Sequence, residues 1–390
     1  MLLSKVKIGQ TRSIIKVDGK DKIKNFLFTL ILISGAAYAS DPWACVSALG
    51  QSDSNNPNQV GCNSNTGTST ATSPAAAAAA VVAPPAIAPA ANVAPAPQQA
   101  QTKTWLFIGN NNNSGITQCR ITANGVNLAT CNNVMPSKTT AKGFSYPTGM
   151  SVSKNTLYIT NDYKYITQCT ISANGLDADS CFKTEIIGTY SIQNPEIISN
   201  TFLLTTDKKI HYCPLNNVTI DNTKCKNFAM GDSDKSITGM TIANNMVYLV
   251  RNGDWQQPDI ITQCSIDSTG IIDTTTCSSV TPTGVGQIKD SHDIKIYNNM
   301  AYITGREAVT TCNLNSNKSI DAASCHNYAV AGGSSFKSSV LGDNKLYTIS
   351  GSAEIAVCNL TSTGIDTKSC QVLKPAGDGS LGWPGAIAIY

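Results

Sequence analysis

Cysteine is the residue type whose spacing most constrains the chemistry of this chain. There are 14 cysteines, an even number, and no two of them stand as C-x-x-C. With only three histidines (His211, His292 and His326), that pattern argues against a structural zinc site and against a thioredoxin-like redox centre. Twelve cysteines form six pairs of near-constant spacing: Cys119/Cys131, Cys169/Cys181, Cys213/Cys225, Cys264/Cys277, Cys312/Cys325 and Cys358/Cys370. Cys45 and Cys62 make a further pair near the start. An even count at regular spacing reads as a disulfide framework laid down in an oxidising compartment. A catalytic or metal-binding thiol would stand at one exposed site, whereas these recur along the whole chain. No metal and no cofactor are expected.

Other chemistry was sought in the side chains that could converge. The sequence contains no H-E-x-x-H, no G-x-S-x-G, no phosphate-binding glycine loop and no dinucleotide fingerprint. The longest variable segment, Arg251-Asn252-Gly253-Asp254-Trp255-Gln256-Gln257-Pro258-Asp259, sets a tryptophan among an arginine and acidic residues. Aromatic and arginine side chains on a polar rim make good partner anchors. Arg251, Asp254 and Trp255 are therefore candidate binding residues, with Tyr163, Tyr165, His292, Asp293, Arg306, Glu307 and Trp383 as neighbours on the same kind of loop. A loop lengthened with no role of its own is the competing reading. His292 and Asp293 with Arg306 form the only trio read here as a possible acid–base group, and such a trio carries little specificity.

The elements that must position these residues emerge from internal repetition. First cysteines of successive pairs lie 44 to 51 residues apart. Two residues after each stands Ile or Leu (Ile121, Ile171, Leu215, Ile266, Leu314, Leu360), alternating with polar neighbours as a half-buried strand requires. An aliphatic-Asp/Asn pair then precedes each second cysteine at a fixed offset: Val126-Asn127, Leu176-Asp177, Ile220-Asp221, Ile272-Asp273, Ile320-Asp321 and Ile365-Asp366. The acid or amide is read as capping its own turn, in preference to ligating calcium. Two further strand-like runs precede each first cysteine, as in Gly149–Val152 followed by Asn155–Ile159. Each unit is thus four short antiparallel strands, with the bridge joining the third strand to the start of the fourth.

Units of this size and strand content predict an all-β fold, a six-bladed β-propeller of four-stranded antiparallel blades. The first unit opens at Trp105-Leu106-Phe107-Ile108, which aligns with later second strands, and Gly385 to Tyr390 aligns with a first strand. The ring is therefore expected to close by pairing the C-terminal strand with the first blade, which removes the free sheet edges.

Ahead of the propeller (103–390) three segments are distinguished. Residues 1–39 read as a signal peptide: basic residues up to Lys24, an apolar run from Phe26 to Tyr38, and Ala37-Tyr38-Ala39 before Ser40. That run is shorter than the roughly 20 residues a spanning helix needs. Residues 40–72 hold the Cys45/Cys62 pair, and 73–102 form an Ala/Pro-rich linker, a spacer of extended character. The formal charge of +3 comes from the leader, because seven of the 28 basic residues lie in it with only two acids. The remainder has no basic stripe, which excludes nucleic acid as a partner.

From Trp105 to Tyr390 the units resemble six-bladed propellers of the NHL and YncE-like kind, in the Tyr-Ile-Thr second strands and short polar hairpins. The cysteine-marked form Ile-Thr-Gln-Cys-x-Ile at 116–121, 166–171 and 261–266 resembles exported propeller repeat proteins of Legionella-like and Coxiella-like bacteria. The resemblance implies a binding platform more often than an enzyme. The expectation is an exported protein, periplasmic or extracellular, that presents one propeller face to a protein or glycan partner and has no membrane span once the signal is removed. A lyase or hydrolase working at the channel mouth, and a structural part of an envelope or secretion assembly, are the alternatives.

Overall fold

The structure, a computed structural model, describes residues 104–390 apart from 113–114, 137–143, 162–163, 187–188, 190, 207, 231–234, 253–257, 284–286 and 333–334. The leader, the Cys45/Cys62 segment and the linker lie outside the described residues. Strands are numbered β1 to β26 in chain order, and they form six antiparallel sheets. The innermost strands are β26 (Pro384–Ile389), β4 (Gly149–Ser153), β9 (Gln193–Ile198), β14 (Ser236–Ala243), β18 (Asp293–Tyr297) and β22 (Phe336–Gly342). Each contacts the innermost strand of both flanking blades. In the first blade β26 pairs antiparallel with β1 (Trp105–Asn110), with Ile387 opposite Ile108, so the C-terminal strand closes the ring.

Period-two alternation explains why the blades stack. All six residues of β1 are buried, and they divide between two cores. Trp105 and Phe107 pack with Leu157 and Ile159 of the second blade, while Leu106 and Ile108 pack with Tyr347 and Ile349 of the sixth. Six hydrophobic clusters result, each shared by two consecutive blades, including the sixth and first. No blade has a core of its own, which is why the repeats stand together or not at all.

Six disulfides, one per blade, are in place: Cys119–Cys131, Cys169–Cys181, Cys213–Cys225, Cys264–Cys277, Cys312–Cys325 and Cys358–Cys370. The pairing is the one expected from the spacing, and it points to an oxidising compartment. The position of three of the second cysteines is not the one expected, because the fourth strand of their blades departs from the simple hairpin. In the first blade β2 (Ile116–Thr122) pairs with β3 (Gly125–Val134), but the register jumps, with Gln118 opposite Asn132 and Arg120 opposite Asn127. The residues between loop out, and Cys131 stands at their end. Cys277 in β17 (Ile272–Val280) and Cys370 in β25 (Gly364–Leu373) sit at the same kind of register jump. In the second and third blades a single 3-10 turn, Ala178–Ser180 and Asn222–Lys224, separates a two-residue strand from the rest of the fourth, and in the fifth blade the turn Ala322–Ser324 leads directly into the fourth strand, His326–Tyr328. Cys181, Cys225 and Cys325 are the residues that end those three turns.

The expectation that each bridge joins the third strand to the start of the fourth holds in the second, third and fifth blades, where Cys181, Cys225 and Cys325 immediately precede the strands Phe182–Glu185, Lys226–Ala229 and His326–Tyr328. It is corrected in the first, fourth and sixth blades, where Cys131, Cys277 and Cys370 lie inside the fourth strand. The reason is that the aliphatic residue of each aliphatic-Asp/Asn pair already belongs to the sheet: Val126, Leu176, Ile220, Ile272 and Ile365 pair with the third strand, and Ile320 bridges Leu314. The Asp/Asn then starts the excursion, and the cysteine four residues on brings the chain back. Each second sulfur consequently lies 3.6–3.9 Å from the carbonyl oxygen of that Asp/Asn. A bridged sulfur carries no proton, so this is a packing contact of the tight turn and not a hydrogen bond.

The acid or amide caps its own turn. The Asn127, Asp177, Asp273, Asp321 and Asp366 side chains accept from the backbone N–H two residues on, at 3.0–3.1 Å. The hydroxyl before the second cysteine then accepts from the N–H after the first: Arg120 N to Thr130 Oγ1 at 2.9 Å, and Thr170 N to Ser180 Oγ at 2.8 Å. The same contact recurs at 2.8 Å from Ser265, Asn313 and Asn359 to Thr276, Ser324 and Ser369.

Candidate binding face at the channel mouth

Where the innermost strands begin, their leading residues and the loops before them enclose a cavity of about 480 Å³. Every blade contributes: Trp383, Thr148, Asn194, Thr238, His292 and Lys337 come from the first to the sixth in turn. The strands approach closely at this neck. A Cβ on Gly239 would sit 2.8 Å from Asp293 Cα, so the fourth and fifth blades meet there backbone to backbone. Thr148 Oγ1 donates to Ile192 O at 2.7 Å and Asn194 Nδ2 to Thr238 O at 2.9 Å, joining the second blade to the third and the third to the fourth.

Trp383 stands on the rim with 66% of its surface exposed. Its backbone has φ of +50°, the left-handed region that a bulky residue occupies only when its neighbours impose it. They do: Asn111 N donates to Trp383 O at 3.1 Å, Asn112 N to Gly382 O at 3.0 Å, and Gly382 N to Asn110 Oδ1 at 3.1 Å. Pro384 follows and fixes the exit. The result is a fixed backbone that carries a large, exposed aromatic side chain at the mouth.

Among the described residues Lys337 is the sole charged one lining the cavity. Its Nζ lies 3.3 Å from His292 Nε2. Burial lowers the Lys337 pKa, with Arg306 adding to the fall and Asp290 opposing it. Burial, reinforced by Lys337, brings His292 down to about 4, so the imidazole is neutral at pH 7 and accepts from the ammonium.

Below the neck, further along the same strands, is a second cavity of about 230 Å³. Here Lys295 Nζ stands 3.2 Å from Asp293 Oδ1 and 3.4 Å from Glu196 Oε1. Asp293 is 1% exposed, and its Oδ2 accepts from Ser339 N at 2.8 Å and from Ser338 Oγ at 3.2 Å. Burial pushes the Glu196 carboxyl up, Asp293 adds to the shift, and Lys295 pulls it back. Burial lowers Lys295, but the two carboxylates outweigh it and the net direction is upward. The network ties the inner strands of the third, fifth and sixth blades together across the channel.

The residues singled out in the sequence therefore divide. Trp383 and His292 share the mouth cavity. Asp293, although next to His292, turns into the network below. Arg306 and Glu307 are exposed and line a separate cavity of about 580 Å³ with Asp290 and Asn327. Arg251 is 3% exposed and its Nη1 donates to Met230 O at 2.8 Å, so it faces inward. The Tyr165 ring has Lys164 and Lys183 at 5.1 and 5.3 Å. Tyr163, Asp254 and Trp255 lie outside the described residues. Sequence reasoning missed Lys337, Lys295 and Glu196; Lys295 and Glu196 share one inner-strand position, which holds Ser151 and Thr241 in other blades, so residue type there does not repeat. It also missed Thr148 and Thr238, although each precedes a Gly-Met at the start of an inner strand.

Among the described residues no group of three metal-binding side chains is found, and no helix is long and apolar enough to cross a membrane. No family model matches the chain, and no curated protein matches it in sequence. Solved structures similar to it include the WD40 domain of Toxoplasma gondii coronin, at 9% identity over 69% of this chain and 68% of that one, with a TM-score of 0.43. The WD40 repeats of RRP9 match at 8% identity over 56% of this chain, with a TM-score of 0.38. The chain spans 62% of the RRP9 structure's length. The computationally designed Ika8 protein matches at 11% identity over 72% of this chain and 76% of that one, with a TM-score of 0.36.

Proposed function

We propose that this protein is an exported, non-enzymatic binding scaffold that presents the mouth of its propeller to a protein or glycan partner. The observation that carries the reading is the rim itself. A tryptophan 66% exposed stands, on a backbone held by three neighbouring hydrogen bonds, above a cavity built by all six blades. Leaving an apolar face in water has a cost in the free protein, and covering it on binding recovers that cost. The acid–base alternative needs His292, Asp293 and Arg306 to converge, and they point into three different surroundings.

The test is crosslinking and affinity capture of the mature protein from its own envelope or medium, with wild type beside Trp383→Ala. Arg306→Ala/Glu307→Ala serves as a control on the neighbouring cavity. A stoichiometric partner lost only in Trp383→Ala supports the mouth as the binding face. A partner retained by Trp383→Ala and lost in the control moves the face to the fifth-blade loops and overturns the reading.

A further inference from the structure

Resting on the mouth as the binding face, we infer that its ligand is a carboxylated saccharide, bound with a sugar ring on Trp383 and its carboxylate on Lys337. Three features of the cavity select that chemistry. First, Trp383 offers a broad, exposed aromatic face on a held backbone, which suits the flat apolar side of a pyranose ring. Second, the lining includes short hydroxyl and amide side chains (Thr148, Gln193, Asn194, Thr238, Ser338) that donate within the protein, which leaves their oxygens to accept from sugar hydroxyls. Third, the charge is one-signed. Lys337 faces the cavity with no carboxylate among the described lining residues, and its nearest partner, His292, is neutral and gives it no counter-charge.

Lys337 is part-desolvated, and Asp290 only partly offsets that, so an anion brought by the ligand gains a charge-assisted contact. Of the acids near it, Asp293 bonds Ser339 and Lys295 below the neck, and Asp290, whose Oδ1 accepts from Asn252 Nδ2 at 3.0 Å, lines the neighbouring cavity and not this one. Cationic and purely neutral sugars are disfavoured on the same grounds, the first by repulsion and the second because it brings Lys337 no charge. The cavity has the volume for a mono- or disaccharide.

The experiment is titration calorimetry of the mature protein with a panel of defined probes: galacturonate and glucuronate oligomers, sialyllactose, and the methyl esters of each. At least one acid should bind, with its methyl ester weaker by about tenfold or more, the loss of one charge-assisted contact. Trp383→Ala and Lys337→Met should each weaken that acid by about tenfold, while Lys337→Arg, which keeps the charge, should retain most of the affinity. Lys337→Arg also guards against misfolding of the methionine variant. Equal binding of acid and ester, or no acid bound at millimolar concentration, overturns the inference. If the panel fails while Trp383→Ala still loses a captured protein partner, the mouth remains the binding face and only the saccharide falls. If both fail, the mouth reading falls with it.

Discussion

In the third blade Pro214 and Lys224 occupy the two positions at which the other five blades join a backbone N–H to a hydroxyl. Proline has no N–H to donate, and lysine has no oxygen to accept. The two departures occur together, as they must: with either partner gone, the other has nothing to bond. Lys224 instead reaches Asp221 at 2.8 Å, an exposed ion pair that takes the place of the internal hydrogen bond.

That difference predicts the order in which the bridges are reduced. In five blades the turn keeps its hydroxyl contact after the sulfur bond breaks, worth about 1 kcal/mol, so the thiols stay adjacent and re-form the bond. In the third blade the exposed pair contributes less than that. Under mild reductant followed by alkylation and peptide mapping, Cys213 and Cys225 should therefore be labelled first, ahead of Cys181, Cys277 and Cys325 and their partners. Early labelling of Cys358 and Cys370 instead, where Ser369 Oγ receives Asn359 N at 2.8 Å, would show that the hydroxyl contact does not hold the turn.

Lys295 is predicted to be far more costly to remove than its exposed counterparts. It stands between Asp293 and Glu196 at 3.2 and 3.4 Å, and without it two carboxylates face each other in the channel uncompensated. Lys295→Met should lower the unfolding free energy by about 3–5 kcal/mol. Lys164→Met, which breaks an exposed pair with Glu185 screened by solvent, should leave the unfolding free energy nearly unchanged. Urea midpoints of the two variants would measure the contrast. Adding Glu196→Gln to Lys295→Met should recover part of the loss.

The six blades were legible because their signals are local and repeated. Cysteine spacing, the Ile or Leu two residues on and the Asp/Asn at the turn each recur six times. Where the bridges land was less legible: spacing pairs Cys169 with Cys181, Cys264 with Cys277 and Cys312 with Cys325, but whether the residues before the second sulfur are a loop or an excursion within a strand depends on the pairing partner. Ring closure was legible from Trp105 and Ile389, since an unmatched second strand and an unmatched first strand complement each other. The mouth was only partly legible. Trp383 and His292 stood out by residue type, but Lys337 is one of many lysines in polar surroundings until the ring brings it beside His292. Arg251 shows the opposite failure: its type signalled a rim anchor, whereas its place in a strand with the pattern of a blade interior buries it.

The neck makes a steric prediction. Gly239 passes so near the fifth blade that an added Cβ would lie 2.8 Å from Asp293 Cα and 2.9 Å from its carbonyl carbon, and neither can swing aside. Gly239→Ala should destabilise by about 1–3 kcal/mol, the usual cost of overpacking. It should also weaken ligand binding at the mouth, because Asp293 follows His292 directly. By comparison, Gly125 has open space around it and φ of +103°, so Gly125→Ala strains one turn and leaves the mouth unchanged. A Gly239→Ala protein with wild-type stability would mean that the inner strands can separate without penalty.

Two histidines set the response to acid. His211, 6% exposed, is brought down to about 4 by burial and then by Lys209, and His292 to about 4 by burial and then by Lys337. Both values lie below the ordinary 6.5. As pH falls from about 6.5 to about 4, the unfolded chain takes up protons that the folded protein refuses, so the unfolding free energy decreases across that window. Each fully titrating histidine contributes a slope of at most about 1.4 kcal/mol per pH unit, less for His292, which is only half-buried. Glu196, raised by burial, acts in the opposite sense, since its contribution is lost as pH rises. Comparing variants cancels that common background. Urea unfolding of wild type, His211→Gln and His292→Gln from about pH 7 to about pH 4 should give a shallower decline in each variant, most of all in His211→Gln. An identical slope in wild type and His211→Gln would mean that the imidazole gains its proton in the folded protein as easily as in water. The third blade would then have to admit solvent to a side chain that packs inside it.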